Sequence, residues 1–126
     1  MILFRNVAGS IVLCVTMLAC SRGFKPSRYP TPEGLFAASM REYNARHWSN
    51  AATGFERLTF DLPARDTLLT RAYYYLGIAR LHKKDYLLAA QSFARLTESF
   101  PDDSLADDAL LQSGRAYLKL WRKPDL

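Results

Sequence analysis

Apolar positions divide the chain into a greasy leader and five helical stretches punctuated by prolines. Val7 to Ala19 form a run of about 13 residues, which as a helix spans ~20 Å against the ~30 Å of a hydrocarbon core, so it fits the apolar region of a signal peptide rather than a membrane span. The next stretch, SRGFKPSRYP, has two prolines and no apolar periodicity. It reads as a tether of at most ~33 Å. Helical spacing begins at Thr31, whose hydroxyl can cap the free amides ahead of Pro32 and Glu33. Leu35, Ala38 and Tyr43 sit on or near one face, and Arg46-His47 mark a break. A second helix runs from Trp48 through Ala51, Phe55 and Leu58 until Pro63 stops it. Two more lie between Thr70 and Asp103, joined by a short polar turn. Here Gly77 and Ala89 are small where helices must come close, Leu76, Phe93 and Leu96 fill the space, and Pro101 ends the pair. A fifth helix is predicted from Ser104, with Asp107 completing a capping box.

These markers recur in one register. Ala51 returns as Ala89, Phe55 as Phe93 and Pro63 as Pro101, all at the same offset, and Gly77 is answered by Gly114 at nearly that offset again. The spacing Tyr73-x-x-Leu76-Gly77-x-x-Arg80, then Ala89-x-x-x-Phe93, then Pro101 resembles the tetratricopeptide repeat, with Tyr73 for the usual Trp and Arg80 for the usual Tyr. The offset here is slightly longer than the plain repeat of about 34 residues, which places the extra length in the connection around Ala64–Leu69. The resemblance implies an all-α, tetratricopeptide-like helical-hairpin solenoid of about two and a half repeats, with units near 31–65, 66–103 and an incomplete 104–126. Such units bury their faces only against neighbours. The missing second helix of the last unit therefore predicts a truncated protein, or one whose final helix finds a partner.

Composition narrows the function classes. The chain is 49% apolar and 23% charged, with a net charge of +5. Arg5 is the only charge in the leader, and the remaining excess is spread along the chain rather than gathered in the dense basic stripe that nucleic acid requires. Cys14 and Cys20 both fall in or at the edge of the leader, so no disulfide framework or cysteine metal site is available to the folded part. His47 and His82 stand singly, without a ligand at metal-binding spacing. No phosphate loop or nucleophile elbow occurs. Asp102-Asp103 and Asp107-Asp108 flank the start of the fifth helix, where their charge complements its dipole. The expectation is a non-enzymatic protein with no cofactor and no metal. Its function would then lie on a concave wall built by the first helix of each unit. That wall is expected to carry Phe36, Met40 and Tyr43, then Tyr74, Ile78 and Leu81, then Leu111, Arg115 and Leu118. An apolar groove of this kind suits an extended or helical peptide, although each of these positions is also open to a core reading.

The leader ends in Met17-Leu18-Ala19-Cys20-Ser21, which resembles a bacterial lipoprotein signal with Met17 where Leu, Val or Ile is usual. The resemblance implies cleavage after a signal peptide of residues 1–19, lipidation of Cys20, a tether over 20–30 and a repeat domain over 31–126. Cys14 is a poorer candidate because Leu13 precedes it. An ordinary cleaved signal and an uncleaved signal anchor remain as alternatives. Ser21 after the cysteine favours the outer membrane. Arg22, Lys25 and Arg28 could favour anionic headgroups at about 1 kcal/mol each, or serve solubility alone. Asp85-Tyr86-Leu87-Leu88-Ala89-Ala90, Ser99-Phe100-Pro101-Asp102-Asp103-Ser104 and Tyr117-Leu118-Lys119-Leu120 resemble the BamD-like family of outer-membrane assembly lipoproteins, over the N-terminal half of a member. That resemblance implies a lipid-anchored scaffold on the periplasmic face of the outer membrane, part of the barrel-assembly machinery and receiving unfolded segments of outer-membrane proteins. Two alternatives stand beside it: a periplasmic repeat protein of the Tol–Pal or cell-division type, and the non-catalytic front of a larger cell-envelope enzyme.

Overall fold

Helix α1 (Pro32–Asn44) starts where its residue types demand, with Thr31 Oγ1 accepting a hydrogen bond from the Gly34 amide at 3.2 Å. It is the first of five helices in the computed structural model, which describes residues 23–122. The others are α2 (Trp48–Asp61), α3 (Thr67–His82), α4 (Tyr86–Ser99) and α5 (Ala106–Trp121). Among the described residues the chain is all-α, with one 3-10 turn at Pro26–Arg28 and no strand. Each helix packs on the one before it, and apolar contacts gather into two cores. The first centres on Phe55, Leu58, Leu69 and Leu76, the second on Phe93, Leu96 and Ala109, and Tyr73 touches both.

The period of the sequence is a period in space. α1 and α3 end in the same turn: the His47 amide donates to the Glu42 carbonyl and the Arg46 amide to that of Tyr43, each at 2.9 Å. Asp85 donates to Arg80 and Lys84 to Leu81 at 2.9 and 3.0 Å. This pair of bonds closes a helix when the residue after the cap turns left-handed, as Arg46 (φ 61°) and Lys84 (φ 65°) do. Phe55 and Phe93 are both fully buried. Phe55 meets Phe36 edge-on at 5.5 Å and 63°, and Phe93 meets Tyr74, the counterpart of Phe36 one unit on, at 6.0 Å and 65°. Gly77 permits that approach, since a Cβ there would lie 2.5 Å from a ring carbon of Phe93.

Three expectations change. The connection between α2 and α3 is Leu62–Asp66, and α3 starts at Thr67 because Asp66 Oδ1 accepts from the Leu68 amide at 2.8 Å. Ser104 does not cap α5, and the box with Asp107 does not form. Instead Asp103 Oδ1 accepts from the Leu105 amide at 2.8 Å and the helix starts at Ala106. The turn Pro101–Leu105 brings Asp103 against the free amide, and an Asp two residues upstream of an amide makes that bond readily. The segment expected as a tether is in part a strap. Phe24 and Tyr29 stack at 5.9 Å and 24° and pack against the first core. A Cβ on Gly54 would collide first with Ser39 Oγ of α1 and then crowd the Phe24 ring at 3.0 Å, so the glycine makes room for both.

Candidate interaction surfaces

The residues expected on one concave wall divide between several environments. Phe36 is core rather than groove: it is 7% exposed, packs on Phe55 and on Tyr75 at 6.2 Å, and lies under the Arg71 guanidinium at 4.5 Å. Its place one residue after Leu35 on α1 turns it toward α3. Met40 and Tyr43 are half-buried against the same core. Tyr43 is the hub of an aromatic cluster, edge-on to Trp48 at 5.3 Å and to Tyr75 at 5.2 Å. Burial, with Tyr75 beside it, holds its phenol above the usual range.

The three consecutive tyrosines of α3 go three ways, because neighbours on a helix are turned by about 100°. Tyr75 turns toward α1 and α2, edge-on to Phe36 and Tyr43 of α1 and stacked on Phe55 of α2 at 5.7 Å and 24°. Tyr74 reaches α5, where its hydroxyl donates to the Asp108 carboxylate. Burial first and that carboxylate second push the Tyr74 phenol above its ordinary value, so it stays a neutral donor. Tyr73 turns to the outer side, into a cleft of about 410 Å³ between α2 and α4 with Glu56, Phe60, Arg80, Leu88 and Gln91. Arg80 ties this cleft together, bonding the Glu56 carboxylate of α2 and, at 2.8 Å, Ser92 Oγ of α4. Residue types alone give Arg80 no task, because its partners lie on two other helices, well upstream and downstream of it in the chain.

Ile78 and Leu81 are half-buried against the second core. Leu111, Arg115 and Leu118 are exposed, and together with Asp107, Leu110 and Gly114 they line a separate open groove of about 510 Å³ on α5. Cys20 lies outside the described residues. The histidines take helix-end positions. His47 precedes α2 and its Nδ1 lies 3.0 Å from the Glu42 carboxylate, while His82 closes α3 with its ring flat on Trp48 at 4.0 Å and 7°. That stack carries no sequence signal, since it joins the start of α2 to the end of α3. Among the described residues no group of three or more His, Cys, Asp or Glu could hold a metal ion. No helix there is long and apolar enough to cross a membrane. Comparison with family models, curated proteins and solved structures finds no match to this chain.

Proposed function

We propose that the chain is a lipid-anchored, tetratricopeptide-like solenoid that works as a non-enzymatic scaffold of the barrel-assembly machinery at the periplasmic face of the outer membrane. The observation that carries this reading is the repetition of one helical unit. The same helix-ending turn recurs at Arg46 and Lys84, and the same aromatic pair recurs at Phe36–Phe55 and Tyr74–Phe93. Units that repeat in this way build extended curved surfaces for binding other proteins. The residues left for a peptide on the α1, α3 and α5 side are Met40, Tyr43, Tyr74, Ile78 and Leu81, apolar bodies with polar tips at Tyr43 and Tyr74. Leu111 and Arg115 lie apart from that side, in the groove on α5.

Membrane attachment rests on Met17-Leu18-Ala19-Cys20-Ser21. Cells fed labelled palmitate should label the chain, and Cys20→Ala should abolish the label; label that persists in Cys20→Ala refutes the anchor. In-cell crosslinking from Ile78→Cys is expected to recover the barrel-assembly pore. Recovery of Tol–Pal components alone would move the scaffold to that system instead.

A further inference from the structure

Five of the eight large apolar side chains left exposed among the described residues lie on one helix, α5: Leu110, Leu111, Tyr117, Leu118 and Trp121. With Gly114 they form one stripe, since 110, 114, 117 and 121 follow the spacing of a single helix face with 111 and 118 beside it. The exposure is far from marginal, at 66% for Leu110 and 81% for Trp121. The inward side of α5 is satisfied by Ala109, Ser113 and Ala116, all buried against the preceding helices. Two features say what covers the stripe. Gly114 sits at the midpoint of Ala106–Trp121, and a Cβ built there meets nothing within 4 Å, whereas Gly77, its counterpart on α3, is covered by Phe93. Charge is also graded along the stripe: Asp107 lies on it one turn before Leu111, while the bases Arg115, beside Gly114, and Arg122, at the far end, border it. A face with a small residue at its centre, acid at one end and base at the other complements itself when inverted.

We propose that α5 pairs antiparallel with α5 of a second copy of this chain, about a two-fold axis at Gly114. The two glycines let the helix axes approach, as small residues do at close crossings. Leu110 then meets Leu118 and Tyr117 of the second copy, and Asp107 meets Arg122 of the second copy, twice by symmetry. A helix of 16 residues is about 24 Å long and about 10 Å across, so the two facing footprints cover on the order of 500 Å², below the roughly 1,000 Å² of a stable specific interface and in the range of a weak one. The dimer is therefore reversible and concentration-dependent.

The test uses the full-length chain in detergent with Cys14→Ser and Cys20→Ser, leaving no native thiol. Under mild oxidation Gly114→Cys should form a disulfide-linked dimer, while Glu98→Cys, exposed at the end of α4, stays monomeric. Arg122→Asp added to Gly114→Cys should lower the crosslinked fraction several-fold, and Asp107→Arg on top should restore it. Sedimentation of the otherwise unaltered chain gives a second measure that needs no new thiol, with mass rising toward two copies. A single-copy mass up to near-millimolar concentration would overturn the proposal. So would equal crosslinking at Glu98→Cys, failure of the charge exchange to restore pairing, or saturation of the stripe by an unrelated helix while the chain stays monomeric.

Discussion

Gly77 and Gly114 occupy equivalent places on α3 and α5, yet their surroundings are opposite. A Cβ at Gly77 would stand 2.5 Å from a carbon of the fully buried Phe93, and one at Gly114 would stand in open space. Ala is favoured over Gly in a helix interior by about 1 kcal/mol. At Gly114 nothing opposes that gain, so Gly114→Ala should stabilise a dilute chain by about 0.5–1 kcal/mol. At Gly77 the ring must shift inside a packed core, a cost of about 1–3 kcal/mol, and Gly77→Ala should lose stability. Urea unfolding at low concentration checks this through the midpoint at unchanged slope; shifts of the same sign would show that Phe93 does not hold Gly77 to its size. The sequence identifies both positions as small from their spacing. It cannot say which one is covered, because that depends on the element packed opposite.

At the scale of the helix, boundaries were legible wherever one residue type settles them. Thr31, Pro32, Pro63 and Pro101 mark starts and stops through caps and a missing amide. The start of α5 was not, because Asp102, Asp103, Ser104 and Asp107 are all competent acceptors and only the path of the turn selects among them. The bond from the Leu105 amide to Asp103 Oδ1 predicts that Asp103→Ala loses about 1 kcal/mol. Ser104→Ala, at an exposed side chain with no bond to the helix start, should stay within about 0.5 kcal/mol of the parent. Thermal unfolding of the two variants decides it, and equal losses would return the cap to Ser104. Phe36 drops out of the expected wall for a related reason. Phe36 and Tyr74 share a register in successive units, but whether such a side chain points between helices or out of them is fixed by how the next helix crosses, which periodicity does not encode.

For the molecule as a whole, the strap at Phe24–Tyr29 matters more than its composition suggested. A stretch with two prolines and no apolar period has nothing to distinguish an anchored aromatic from a free one. The seat for Phe24 is made by Gly54, on another helix, and by the first core. If Cys20 carries lipid, the docked Phe24 leaves four residue steps between membrane and fold, at most ~14 Å of chain in place of ~33 Å. The start of α1 and the end of α2 would then be held close to the headgroups, with Lys25, Arg28 and Arg57 near them. Freeing the strap should both destabilise the fold and let it swing away. Phe24→Ala removes a half-buried ring, a loss of about 1–2 kcal/mol. A fluorophore on Arg57→Cys in the lipidated protein should be quenched by a headgroup-attached quencher more strongly than one on Arg95→Cys, the equivalent position one unit further from the strap on α4. Phe24→Ala should bring the two closer to equal, because a longer free segment lets the domain sample more orientations. Quenching at the two sites that is already equal in the parent, with palmitate label present, would mean that the strap does not set the stance of the domain on the membrane.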